Sequence, residues 1–210
     1  MLKNYEKLPN GVIRQKKILN SLPDYNKQYV DERYNSYGEK GMQMAYLRLG
    51  YMLGVLGKYG IHSILDVGYG NGDFLKACLD YNLECYGNDI SEYPLPQGAT
   101  FVKDFIKKEV DVVCFFDSLE HFKKIDFVKK LKAEFVFISL PYCHYKDDEW
   151  FENWKHRRPD EHLWHFNFIS LQKFMEEQGY KLERTSNFED TIRKSEDGEM
   201  NILTGIFKKI

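Results

Sequence analysis

The feature that most constrains this chain is the segment Ile64 to Leu75, ILDVGYGNGDFL, where a short apolar run breaks into three alternate glycines and then resumes as a new apolar pattern. An apolar run of that length reads as a buried strand, and Phe74, Leu75, Cys78 and Tyr81 recur at helical spacing. Glycines at 68, 70 and 72 let the connecting backbone approach a ligand closely, and they open the helix with N–H groups that have no partner inside it. A strand that passes through such a turn into a helix belongs to a parallel sheet, because parallel strands need a crossover between them.

The rest of the chain repeats that alternation. Strands are expected at IHSILDV, LECYGND, Thr100 to Lys103, VDVVCFF and EFVFISL, the last stopped by Pro141. A helix is expected from Leu119 to Leu131, with Phe122, Ile125, Val128 and Leu131 on one stripe. Tyr142 to Asn167 reads as one long irregular stretch, of the kind that is functional when it interrupts a compact domain. Ser170 then caps a helix with Leu171, Phe174, Met175 and Gln178 on its face and Gly179 at its end. Tyr180 to Thr185 and Asn201 to Lys208 read as two closing antiparallel strands. Strands apolar on both faces require cover on both faces. The expected fold is therefore α/β: an open, mostly parallel seven-stranded sheet with helices on both faces and an antiparallel C-terminal hairpin, over residues 61–210. Residues 1–60 are rich in Tyr, Lys and Asn, and show periodicity only late, at Ala45, Leu49, Met52, Leu56 and Tyr59; they read as a helical lead-in or cap.

At 210 residues the chain suits one domain, or one domain with a small cap. A formal net charge of −2, with both signs interspersed, gives no field that would draw nucleic acid or a membrane surface. The four cysteines are widely separated and contain no CxxC pair, which argues for a reducing compartment. No apolar run has the length of a membrane span and the N-terminal stretch has no signal-like core, so a cytoplasmic protein is expected.

A second signal lies at Asp89, at the end of the second strand and about 20 residues beyond the glycines, where a carboxylate accepts both hydroxyls of a ribose. The competing reading is a turn aspartate before Ile90 and Ser91. Glycine turn and carboxylate together fit a dinucleotide or S-adenosylmethionine. Asp73 occupies the place where the dinucleotide fingerprint needs its third small residue, which disfavours a dehydrogenase.

From Ile61 to Ile210 the chain resembles the class I S-adenosylmethionine-dependent methyltransferases. ILDVGYGNGDFL is similar to their first motif, YGNDIS to their ribose-binding strand end, and FVKDF to their adenine-contacting segment. FFDSLEHF, SLPY and HFNFISLQKFMEEQGYKLE are similar to the stretches around and after their fourth and fifth strands, as in small-molecule and sugar O-methyltransferases. The resemblance implies a Rossmann-like fold with S-adenosylmethionine as cofactor. It implies Asp66, Gly68, Tyr69, Gly70 and Gly72 around the methionine part and Asp89 on the ribose. Ile90 and Phe105 would sandwich the adenine, Asp104 would accept from its amino group, and Phe116 and Asp117 would line the methyl-donor side. Tyr69 departs from the usual small residue there.

Methyl transfer to a hydroxyl needs in-line placement and removal of one proton. His165 is the expected base, with His162 second; Glu120 and His121 are further catalytic candidates. Asp117, Glu120 and His121 fit either a helix cap with Glu120 reaching back, or a metal site. Their D-x-x-E-H spacing is similar to the metal-binding E-x-x-E-H of ubiquinone-biosynthesis and small-RNA methyltransferases. No resident metal is assigned. Trp150, Trp154, Arg157 and Arg158 either clamp a substrate or anchor their own loop, and Arg33, Tyr34, Tyr37 and Arg48 belong to the cap over the cofactor. His144 and His156 are read as surface residues. The expected activity is O-methylation of a small-molecule or saccharide-like acceptor, with no nucleic-acid or membrane partner. The alternatives are a metal-dependent RNA ribose 2′-O-methyltransferase and a non-catalytic binding or scaffold protein.

Overall fold

The fold is described from a computed structural model for residues 3–21, 24–35, 38–91, 93–195 and 198–210, without the side chains of 33–35. Seven strands form one sheet: β3 (Ser63–Val67), β4 (Glu84–Asn88), β5 (Thr100–Phe101), β6 (Glu109–Phe116), β7 (Lys132–Pro141), β9 (Tyr180–Ser186) and β10 (Ile202–Lys209). Their order is β5-β4-β3-β6-β7-β10-β9. The first five are parallel and the last two antiparallel, as expected. Chain direction across the sheet reverses between β3 and β6, so the loops leaving these strands diverge and open a crevice at their carboxyl ends.

Alternation along each central strand supplies two cores. Ile64, Val112, Cys114, Phe135 and Phe137 face α2 (Glu39–Leu56) and α3 (Asp73–Asp80), which contribute Ala45, Leu49, Met52, Leu56, Phe74, Leu75 and Cys78. Leu65, Val113, Phe115, Val136 and Ile138 face Leu171, Phe174 and Met175 of α5 (Phe168–Glu177). All four cysteines are buried free thiols. No helix among the described residues is long and apolar enough to cross a membrane.

Several local expectations are corrected. Leu119 to Leu131 is not an α-helix but two 3₁₀ turns, Leu119–His121 and Asp126–Lys130, with Phe122 extended after the first. Leu119, Phe122, Ile125, Val128 and Leu131 recur every three positions, which matches the three-residue turn of a 3₁₀ segment. Helix α5 starts from Asn167, whose side chain accepts from Ser170 N while Ser170 Oγ accepts from Asn167 N, both at 2.9 Å, so Ser170 closes a capping box. The stretch after β7 contains α4 (Asp148–Asn153), capped by Asp147, and β8 (Trp164–His165). The lead-in holds α1 (Lys27–Asn35) and α2, but it begins with a hairpin, β1 (Tyr5–Lys7) and β2 (Ile13–Gln15), and β2 pairs with β8 in a second sheet. Strands of three residues are too short to display a two-residue period, which is why the sequence pattern missed them.

Phe137 is fully buried in a central strand, with its ring 4.9 Å from Phe116 and 6.0 Å from Tyr51. Phe137→Ala is expected to cost about 3–5 kcal/mol, read as a lower urea midpoint at unchanged m-value.

Candidate active site

The crevice at the β3/β6 divergence is a cavity of about 670 Å³, walled by α2, by the turns after β3, β4 and β6, and by the loop before β8. Gly68 has a φ of 82° and a Cβ there would lie 2.7 Å from Ser118 Cβ, so the turn after β3 can pack on the turn after β6 only with glycine. Gly72 likewise has a φ of 77° with Pro96 Cδ 2.9 Å from its missing Cβ; it shapes the turn without lining the cavity. Asp89 accepts from Gly70 N at 2.9 Å and from Ser91 N at 2.7 Å, which fastens the glycine turn to the end of β4. Tyr69 fills the space beside Gly87 and donates to Tyr93 O at 2.5 Å, with its hydroxyl pushed up to about 12 by burial and by Asp89. Ile90, 75% exposed, and the half-buried Phe105 both line the cavity.

Asp66 ends β3 at 2% exposure, and its Oδ1 has no hydrogen-bond partner among the described residues. Burial pushes its carboxyl up to about 7, with Arg48 opposing and Asp89 adding to the shift. An orphaned, buried acceptor on a cavity wall marks a place for a donor supplied by a ligand.

Two arginines and two acids form the rear wall. Arg193 donates to Asp117 at 2.6 and 3.0 Å and to Glu189 at 3.1 Å, and Arg48 donates to Glu189 at 2.7 and 2.9 Å. Ser139 of β7 donates to Glu189 at 2.6 Å. Burial alone would raise the Glu189 carboxyl, but Arg48 and Arg193 hold it below its ordinary value. The Arg48 guanidinium stacks 4.2 Å over the ring of Phe116, which lines the cavity as expected. Asp117 is left-handed, with a φ of 49°, and its side chain is clasped by Arg193 rather than capping a helix. Apart from their own i, i+4 pairing, Glu189 and Arg193 have partners about 50 to 140 positions away, which no local pattern flags.

Histidines gather at the opposite end. His121 lines the cavity, and its Nδ1 lies 2.9 Å from the Tyr25 hydroxyl. Its ring meets that of His162 edge-on at 4.7 Å. His162 Nδ1 donates to His156 O at 2.8 Å, since a carbonyl only accepts, so its proton is on that nitrogen. Burial pushes His162 down to about 2 and His156 down to about 4, which keeps both neutral. Glu120 lies behind this wall at 1% exposure, with neither oxygen hydrogen-bonded among the described residues and His121 Nε2 at 3.9 Å. Burial and then Asp117 push its carboxyl well up. Ligand atoms of Glu120, His121 and His162 lie within 4.8 Å of one another.

Several expected site residues fall elsewhere. His165 does not face the cavity: β8 pairs with β2 at Ile13, which turns the ring into a pocket of Tyr5, Phe151 and Trp154, 5.1 to 5.8 Å away. Burial pushes it down to about 3, too weak for a base near neutrality. Asp104 is also outside the cavity, half exposed and paired with Lys107 at 2.8 Å, because its side chain leaves the β5 turn toward solvent. Glu120 lies beneath the wall rather than on it, and Asp117 does not join Glu120 and His121 on one helix face. Trp150 and Trp154 stack on each other at 5.4 Å and anchor their loop, and Arg157 sits over Tyr5; only Arg158 of that set reaches the cavity. His156, expected on the surface, lines the cavity. Of the cap residues Arg48 lines the cavity, while Tyr37 and the side chains of Arg33 and Tyr34 lie outside the described residues.

A glycine turn, a ribose-height carboxylate and a crevice at the sheet's switch point define an α/β enzyme that holds a nucleoside-containing ligand. The chain belongs to the methyltransferase domain family, whose profile matches residues 31–185. Comparison with curated proteins finds no match. Among solved structures it is similar to magnesium protoporphyrin IX methyltransferase from Synechocystis PCC 6803 with bound S-adenosylhomocysteine, at 14% identity and a TM-score of 0.62 over 89% of this chain and 96% of that one. It is similar to the plantazolicin methyltransferase in complex with a substrate analogue and S-adenosylhomocysteine, at 14% identity and a TM-score of 0.59 over 87% and 90%. A third is the Burkholderia thailandensis 1,6-didemethyltoxoflavin-N1-methyltransferase, at 11% identity and a TM-score of 0.58 over 98% and 99%. The fold is the class I methyltransferase fold.

Because the Asp66 carboxyl is raised in the folded state, the native chain holds a proton that the unfolded chain releases between pH 4 and 7, and Asp66 lowers stability as pH rises through that window. Asp66→Asn is expected to melt above wild type at pH 8 and level with it near pH 4, measured by thermal scans of the ligand-free protein across pH.

Proposed function

We propose that this chain is an S-adenosylmethionine-dependent methyltransferase that acts on a hydroxyl of a small-molecule acceptor, in the cytoplasm, with neither nucleic acid nor membrane as partner. The observation that carries the reading is the orphaned Asp66 carboxylate beside the Asp89-fastened glycine turn. When bound, S-adenosylmethionine supplies a methyl group made electrophilic by a sulfonium. Asp66 would accept from the ammonium of its methionine part, with Gly68, Tyr69 and Gly70 along that chain. Asp89 would take the ribose hydroxyls, and Ile90 and Phe105 would cover the adenine. Asp66 binds such a cation in its ionised form, so affinity should rise with pH through about 7.

His121, paired with Tyr25, takes the place of His165 as the proton acceptor. Burial raises the Tyr25 hydroxyl, so it stays protonated and donates to His121 Nδ1. With His121 protonated on Nε2, the acceptor's hydroxyl proton would pass to the Tyr25 oxygen and the Tyr25 proton to His121 Nδ1, which would free the acceptor oxygen to take the methyl group. Asp117, clasped by Arg193, and Phe116 under Arg48 border the methyl-donor side.

A second reading, an RNA ribose 2′-O-methyltransferase using a divalent metal, is favoured by one observation, the Glu120, His121 and His162 cluster with its unsatisfied carboxylate. Two imidazoles and one carboxylate suit Mn, Fe, Co or Zn better than Mg. Against it stands the near-neutral charge, since phosphate binding draws on a basic surface. A non-catalytic scaffold remains the reading from another class, and a protein that binds cofactor but transfers label to no acceptor would support it.

Calorimetric titration with S-adenosylhomocysteine should give saturable one-site binding that Asp89→Ala weakens by at least about tenfold, as expected for loss of charge-assisted hydrogen bonds. A folded sample that binds neither cofactor nor product overturns the reading. Titration with Mn²⁺ should leave the melting temperature unchanged on the first reading. An increase abolished by Glu120→Gln would favour the second.

A further inference from the structure

The histidine end of the cavity is walled by two segments that lie outside the large sheet. One is a strap that leaves β2 at Gln15 and leads to Tyr25 and to Tyr29 in α1; the other is the loop carrying His156, Arg158, Glu161 and His162. Asp160 sits between them, 4% exposed and left-handed with a φ of 65°. Its carboxylate accepts from Leu19 N at 2.9 Å, Asn20 N at 3.1 Å, Asn20 Nδ2 at 2.9 Å and the side-chain amide of Gln15. Its own N–H donates to Gln15 Oε1 at 2.8 Å. Among the described residues, no other hydrogen bond or ion pair joins residues 16–21 to residues 154–163.

We propose that Asp160 is a positioning residue of the methyl-transfer site: by fastening Leu19 and Asn20 to the acceptor loop, it holds the Tyr25 hydroxyl on His121 Nδ1. The inference rests on the Tyr25–His121 pair proposed above. Asn4 fastens Lys17, eight positions before Tyr25; the latch moves the last fastened residue to Asn20, five positions before Tyr25. Shortening a tether lowers the entropy lost when its end is held in place, so the Tyr25 contact persists for more of the time. The latch also couples the two walls, since the loop that receives the strap carries His162, edge-on to His121. A carboxylate suits the task better than an amide: it offers both oxygens to four N–H donors, whereas an amide turns one of its two positions into a competing donor.

The test uses the full-length protein with ¹⁵N-labelled histidine. Ring-nitrogen spectra at one fixed pH are recorded for wild type, Tyr25→Phe, Asp160→Ala, Asp160→Glu and Asn20→Ala, with the His121 signals assigned by their loss in His121→Gln. Wild type should show His121 Nδ1 as an acceptor with the proton on Nε2. Asp160→Ala should move the Nδ1 signal in the direction that Tyr25→Phe moves it, Asn20→Ala should do so by less, and Asp160→Glu should restore part of the wild-type position. S-adenosylhomocysteine affinity should stay within about twofold of wild type in all three latch variants, since their contacts lie away from the glycine turn. Wild-type His121 signals in Asp160→Ala, alongside a shift in Tyr25→Phe, overturn the proposal. If Asp160→Ala does not fold, unchanged signals in Asn20→Ala overturn it instead. Absence of S-adenosylhomocysteine binding by wild type would be a failure of the methyltransferase reading, visible separately from the ring spectra.

Discussion

The buried pairing of Arg48 and Arg193 with Glu189 and Asp117 is the interaction on which the cavity depends. It joins α2, the end of β6, β7 through Ser139 and the turn before β10. Glu189 is fully buried, so removing Arg48 would strand its charge, and a stranded buried ion costs far more than a lost surface pair. The quartet holds Asp117, which is in a left-handed conformation, and places the guanidinium of Arg48 4.2 Å over the ring of Phe116 on the cavity wall.

The two ends of the cavity differ in character. The end near Asp66 and Asp89 is built by backbone: glycine turns, strand ends and carboxylates fastened to N–H groups. The end near His121 is built by side chains from three separate segments, which bring Tyr25, His121, His156 and His162 together. Backbone geometry at a sheet's switch point is common to a whole fold, whereas side chains from loops are free to differ. A conserved-architecture cofactor end and a variable acceptor end are what an enzyme class needs if one donor is to serve many acceptors.

The buried acids and histidines divide the same way. Asp66 and Glu120 are both held from ionising by burial, but Asp66 borders the cavity and Glu120 lies behind its wall. An acid on the wall can be relieved by a cationic ligand.

The sequence by itself determined the seven strands of the large sheet, the helices α3 and α5, the glycine turn and the placement of Asp66 and Asp89 at strand ends. These follow from local patterns: apolar alternation on both strand faces, helical spacing, and turn chemistry within a dozen residues. It also determined that Asp89 would fall beside the turn, because adjacent parallel strands align their carboxyl ends. The tertiary structure alone decided which histidine meets the cavity. Along the chain His165 reads as the base and His121 as a further candidate, but β8 pairs with a three-residue strand from the N-terminus, and that register turns His165 into an aromatic pocket. Likewise Asp117 read as a cap until Arg193, 76 positions away, claimed its carboxylate. Local patterns report how a segment satisfies its own backbone; the partner of a buried charge is set by which distant segments pack together, and no window along the sequence contains both.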